Sequence, residues 1–190
     1  MKKLFIIILL LSGTPRLAFA EKNERVKQTV SPDTLPVPNI PNLLFYIQRD
    51  PNANTICYQL NLDKKGNIDV KNPVHAFWIR YPEGGIVKEL SFVQNKFAYG
   101  LKVTKIGEDE FELKSVALID SPMYLKKDNK NKYQVFILVN QKQHVLKRVF
   151  VRINGGSKLS PNVLYVELKV MDPVTGRLLT ERINNPGGKS

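Results

Sequence analysis

Leu44-Phe45-Tyr46-Ile47-Gln48-Arg49, then Asp50-Pro51-Asn52-Ala53-Asn54, then Thr55-Ile56-Cys57-Tyr58-Gln59-Leu60-Asn61-Leu62 is the stretch whose reading decides the fold. Its flanks are aromatic and β-branched, which suits a pleated, half-buried surface. Its middle is built from residues that favour turns. In the second flank Ile56, Tyr58, Leu60 and Leu62 recur with period two, so they share one face. The stretch reads as strand, turn, strand.

The same grammar continues outward. Asp63-Lys64-Lys65-Gly66-Asn67 is a second turn. Residues 75–81 form a third strand, with His75, Phe77, Ile79 and Tyr81 on one face and Ala76, Trp78 and Arg80 on the other. Leu90, Val93 and Phe97 then recur at helical spacing before Gly100, which predicts one helix near 87–98. Strands follow over 101–106, 110–118, 133–140, 144–153, 163–171 and 177–183, with 126–132 as a polar loop. The expectation is a mainly β domain of about nine strands. Short links favour antiparallel neighbours, closed into a barrel or stacked as a sandwich.

Upstream, the organisation changes. Met1-Lys2-Lys3, an apolar run from Leu4 to Leu11, and Ala18-Phe19-Ala20 have the layout of a secretory signal over 1–20. The run is far shorter than the roughly 18–20 residues that span a bilayer. Residues 21–42, with Pro32, Pro36, Pro38 and Pro41, read as an extended Pro-rich linker. The all-β domain is placed at 43–183 and a flexible tail at 184–190. Localisation is expected to be exported and periplasmic, with extracellular release as the alternative.

The chain carries 29 Lys and Arg against 17 Asp and Glu, a formal charge of +12. Loss of Lys2, Lys3 and Arg16 with the signal lowers +12 to +9. Such a surface can meet an anionic envelope component. Nucleic acid fits the charge but not the compartment. No segment after the signal is apolar enough to make a transmembrane helix in the mature chain.

Local spacing announces little chemistry. His75 and His144 are the only histidines, and no cysteine pair accompanies them, so no metal site and no cofactor is expected. The acidic residues around Gly66 lack an EF-hand's ligand pattern. There is no Gly-x-Ser-x-Gly elbow. Cys57, the only cysteine, reads as a small buried hydrophobe, and Cys57 with His75 is the single conceivable thiol dyad. Glu108, Asp109 and Glu110 form a charged turn. His144, Arg148 and Arg152 share a strand face with Leu146 and Phe150, read as a solvated or partly covered stripe.

Phe45-Tyr46-Ile47-Gln48-Arg49, Asn52-Ala53-Asn54-Thr55, Trp78-Ile79-Arg80-Tyr81 and Lys96-Phe97-Ala98-Tyr99-Gly100 resemble, in that order, a bacterial domain family of unknown function found in exported proteins. The resemblance spans roughly 43–183. It implies no reaction and no catalytic residues.

The strongest binding candidates are polar and aromatic: Arg49, Asn52 and Asn54 at the first turn, with Trp78, Arg80, Tyr81 and Tyr99. Arginine offers a planar fork for carboxylate or phosphate, asparagine offers paired donors and acceptors, and aromatics offer flat surfaces for sugars. The expected function is a non-catalytic exported binding or interaction domain that recognises an anionic or glycan-like envelope component. An envelope hydrolase and a structural or assembly factor are the rivals.

Overall fold

The computed structural model describes residues 31–49, 52–117, 121–156 and 161–184. The signal over 1–20, the linker residues 21–30 and the tail from 185 lie outside the described residues.

Eleven strands form one sheet. They are β1 (Leu43–Arg49), β2 (Asn52–Leu60), β3 (Val74–Arg80), β4 (Ile86–Glu89), β5 (Leu101–Lys105), β6 (Phe111–Ser115), β7 (Met123–Lys127), β8 (Tyr133–Val139), β9 (Lys142–Gly156), β10 (Pro161–Met171) and β11 (Leu178–Asn184). The main path runs β4-β3-β2-β1-β9-β8-β7-β6-β5, with β10 and β11 added beside β9. Among the described residues the longest helix, α1, starts as α over Phe92–Gln94 and widens to π geometry over Asn95–Tyr99; two single 3-10 turns lie at Pro32–Thr34 and Tyr81–Glu83.

The long strand β9 organises everything else. β10 pairs along one of its edges, over Val145 to Gly156. Its other edge is shared: Lys142 to Val145 meet β8, and Arg148 to Val151 meet β1. Two arms therefore leave the same edge, and curling brings their apolar faces together. Phe45, Ile47, Ile56, Tyr58 and Trp78 from one arm join Phe111, Leu113, Met123, Leu125 and Ile137 from the other in one core. The result is a half-barrel whose arms pack like a sandwich, since β4 and β5 remain the ends of the path.

Three features differ from the reading of the sequence. The β1–β9 pair is parallel, because β1 joins a strand about a hundred residues downstream rather than a turn-linked neighbour. Two more strands appear, β4 and β7. The helix does not begin at Val87: Ile86 to Glu89 pair with Arg80 to Phe77, and Ser91 then opens the helix. A capping box sets that start. Gln94 N donates to Ser91 Oγ at 3.3 Å, and Ser91 N donates to Gln94 Oε1 at 2.9 Å.

The described part of the Pro-rich segment is not a free spacer. It lies as a strap on the outer face of the sheet. Arg148 Nη1 donates to the Pro32 carbonyl at 2.9 Å, Gln48 Nε2 to the Pro36 carbonyl at 2.7 Å, and Gln59 Nε2 to the Pro41 carbonyl at 2.9 Å. Ile40 packs against a second apolar cluster of Tyr46, Cys57, Phe77 and Ile79. Prolines lack the donors that would seek a sheet edge, so only their carbonyls are tied down.

Candidate functional site

The structure does not bring all seven sequence-selected residues together. Arg49, Trp78 and Tyr99 come together. The Trp78 and Tyr99 rings meet edge to face at 5.3 Å, and the Arg49 guanidinium lies 5.9 Å from the Tyr99 ring centre. Arg80 instead pairs with Glu83 in the following turn. Tyr81 packs against the outer-face cluster. Asn52 shapes the turn: its Oδ1 accepts from Asn54 N at 3.0 Å. The Asn54 Oδ1 atom is buried without a partner among the described residues.

Much of the Trp78 and Tyr99 chemistry is already committed to holding α1. Trp78 Nε1 donates to Gln94 Oε1 at 3.3 Å. The Tyr58 hydroxyl donates to the Tyr99 carbonyl at 2.6 Å. Gly100 closes the π turn so tightly that a Cβ there would collide with the Asn95 carbonyl oxygen. The motif residues thus tie the helix to the inner face of the sheet.

A larger feature lies elsewhere. A cleft of about 700 Å³ opens between the β2–β3 connection and the β7–β8 turn. Leu43, Leu44, Leu60 and Ile68 give it an apolar lining. Asn67, Asn131, Lys132 and Gln134 give it amide and ammonium groups. Two turns of the same design supply Asn67, Asn131 and Lys132, and β8 supplies Gln134. Asp63 N donates to the Asn67 carbonyl at 2.7 Å, and Asp128 N to the Lys132 carbonyl at 2.8 Å. In each, the aspartate Oδ1 also accepts two backbone N–H groups, from Lys65 and Asn67 or from Lys130 and Lys132. The fourth residue is left-handed in both, Gly66 at φ 82° and Asn131 at φ 59°. Backbone donors, first that of Asn67 and first that of Lys132, hold the two aspartates below the usual carboxylate range.

Asp109, Lys127 and Tyr133 sit together in the same cleft. Lys127 Nζ is 2.6 Å from Asp109 Oδ2 and 5.1 Å from the Tyr133 ring centre. Its hydrogen bond lowers the Asp109 carboxyl and raises the Lys127 ammonium. Burial, then the bond to Asp109, raises the Tyr133 hydroxyl. The cleft therefore presents fixed charges beside uncharged hydrogen-bonding groups. Sequence reasoning saw its two turns only as connections; the repeated Asp-x-x-(Gly or Asn)-x pattern was the available signal.

The family described as "Domain of unknown function (DUF4833)" matches residues 45–182, most of the chain. The chain belongs to the DUF4833 family. No match was found among curated proteins or among solved structures. The DUF4833 match covers both arms of the half-barrel and α1, so the domain assignment and the fold describe the same body.

Within this DUF4833 domain the conceivable thiol dyad does not form. Cys57 is fully buried, and burial pushes its thiol up to about 12. His75 turns its Nε2 to Glu89, 2.9 Å away. The expected stripe on β9 is buried rather than solvated: His144, Arg148 and Arg152 are each less than a tenth exposed. Strap and neighbouring strands cover it. Among the described residues no group of three or more His, Cys, Asp or Glu is placed to hold a metal ion. Among the described residues no helix is long and apolar enough to cross a membrane.

Proposed function

We propose that the protein is an exported, non-catalytic binding domain of the cell envelope, and that it takes a glycan-like or anionic component in the cleft between the twin turns. The observation that carries the reading is the cleft's composition. An apolar lining beneath fixed amides and Lys132 suits a ligand with both carbon–hydrogen faces and polar or anionic substituents. Turns held by their own aspartates are already shaped, so binding orders little. Export follows from the signal-like residues 1–20 and places the domain among envelope glycans and phosphates.

The Arg49–Tyr99–Trp78 group is the rival location for the same class of ligand, occupied only if the cleft is not the site. Among the described residues no carboxylate pairs with Arg49, and its guanidinium is only partly buried.

Calorimetric titration with soluble peptidoglycan fragments and lipopolysaccharide core sugars tests the reading. Asn67→Ala with Lys132→Ala is expected to weaken binding by about tenfold or more, one lost charged and one lost neutral hydrogen bond. Equal affinity in that double variant, with loss in Arg49→Ala, moves the site to the second location. Absence of binding to every probe by the unaltered chain rejects the function.

A further inference from the structure

The sequence pattern that predicts α1 suggests a helix turning its apolar stripe inward, but the helix does the reverse. Phe92, Val93 and Phe97 are 76%, 54% and 62% exposed. With Lys96 they occupy positions i, i+1, i+4 and i+5, one continuous face. The other side is the one anchored, through Gln94 to Trp78 and through the Tyr99 carbonyl to Tyr58. Two phenylalanines are therefore held rigidly toward solvent, at a cost a monomer in water has no reason to bear.

The charge set among these aromatics is a single cation. Lys96 Nζ lies 5.5 Å from the Phe92 ring centre and 5.2 Å from that of Phe97, so an ammonium sits between the two aromatics. The segment 86–106 holds four lysines, Lys88, Lys96, Lys102 and Lys105, and one acid, Glu89. Glu89 is already engaged by His75. All four lysines are exposed, although Lys88 has Glu83 at 3.6 Å and Lys102 and Lys105 leave opposite faces of β5. Aromatics for the interfacial region, with lysines for its headgroups, match an anionic bilayer surface. A two-fold contact between copies through this face would set Lys96 against Lys96, which disfavours self-association.

We propose that α1 is a membrane-docking element, which lays Phe92, Val93 and Phe97 into the headgroup region of an anionic lipid surface while Lys96 and the flanking lysines meet lipid phosphates. The proposal is independent of the cleft, which is built from other elements. It gives the domain a peripheral position on a membrane surface.

Vesicle flotation tests it, using the chain from Glu21 onward, which keeps all the described strands and their core. The probes are vesicles of phosphatidylglycerol and phosphatidylcholine in equal parts, and vesicles of phosphatidylcholine alone. The expected result is flotation with the anionic vesicles, weakened by salt. Phe92→Ser with Phe97→Ser should reduce the bound fraction about tenfold or more. Lys96→Glu should also reduce it, and Leu164→Ser, an exposed apolar residue on β10, should not. Unchanged unfolding midpoints show that the variants fold; if the double variant does not, Lys96→Glu and the salt dependence decide. Wild-type protein that stays unbound overturns the proposal, as does a double variant that floats like wild type. So does a dimer in solution that the double variant dissolves while vesicles remain unbound.

Discussion

Arg148 and Glu167 form a buried pair across β9 and β10, with Arg148 Nη2 3.2 Å from Glu167 Oε1. Arg148 is only 4% exposed. Its guanidinium also reaches Asp33 Oδ1 at 3.2 Å and the Pro32 carbonyl, so one side chain joins the sheet to the strap. Arg182 supplies a second partner to Glu167 at 3.2 Å. Arg148→Ala removes the inner partner and the anchor together. Its expected cost is about 3 kcal/mol in urea unfolding, the range for breaking a buried pair from one side. Arg148→Met with Glu167→Gln should recover part of that loss, since no buried charge is then stranded.

Acid should loosen the strap before the sheet. Hydrogen bonding and attraction from Lys169, and then attraction from Arg148, hold the Asp33 carboxyl below its ordinary value. A depressed carboxyl stabilises the folded form fully above its unfolded value, near about pH 4, and that contribution disappears as pH falls through the lowered value. Asp33 is exposed, so the effect is local and modest. Hydrogen exchange at pH 5 and pH 3, each rate divided by the intrinsic rate at its own pH, should show lower protection over 31–42 at pH 3, while the β9–β10 amides stay protected. Asp33→Asn should abolish the difference.

The β8–β9 turn carries strain that can be relieved. Asn140 and Gln141 have φ of 50° and 64°, and Val139 pairs with Lys142 across them. A two-residue hairpin loop with both residues left-handed favours Asn-Gly. Gln141→Gly should therefore stabilise the domain by roughly 1 kcal/mol, read as a higher denaturant midpoint with unchanged slope.

The lone thiol should be silent in the folded protein. Burial raises Cys57 to about 12, so at pH 8 almost none is thiolate. Labelling by an aromatic disulfide reagent should follow the rate of unfolding. Fast labelling of native protein would show that the strap and the second cluster open readily.

Why some of this was legible in the sequence, and some not, follows from the range of each interaction. Aromatic and β-branched composition over 44–49 and alternation over 55–62 locate β1 and β2, because both signals are local. β7 was left between the strand at 110–118 and the polar loop at 126–132, since Tyr124, Lys126 and Lys127 hide the buried Met123 and Leu125. β4 was lost to a helical pattern, being an edge strand with every residue exposed. The β1–β9 register joins Tyr46 to Arg148, and no turn encodes a pairing of that separation. The proline spacing pointed to extended chain, and among the described residues one 3-10 turn over Pro32–Thr34 interrupts it; the spacing could not show that Gln48, Gln59 and Arg148 await the strap's carbonyls. Among the chosen site residues, the motifs placed Arg49, Trp78 and Tyr99 side by side. The cleft escaped because two distant turns make it jointly.

The most direct test of the binding account is amide chemical-shift mapping of the uniformly labelled chain during titration with a peptidoglycan fragment. The account predicts saturable shifts at Asn67, Asn131, Lys132 and Gln134, with Arg49, Trp78 and Tyr99 unmoved. Saturable shifts confined to Arg49 and Tyr99, or none at saturating fragment, would contradict it.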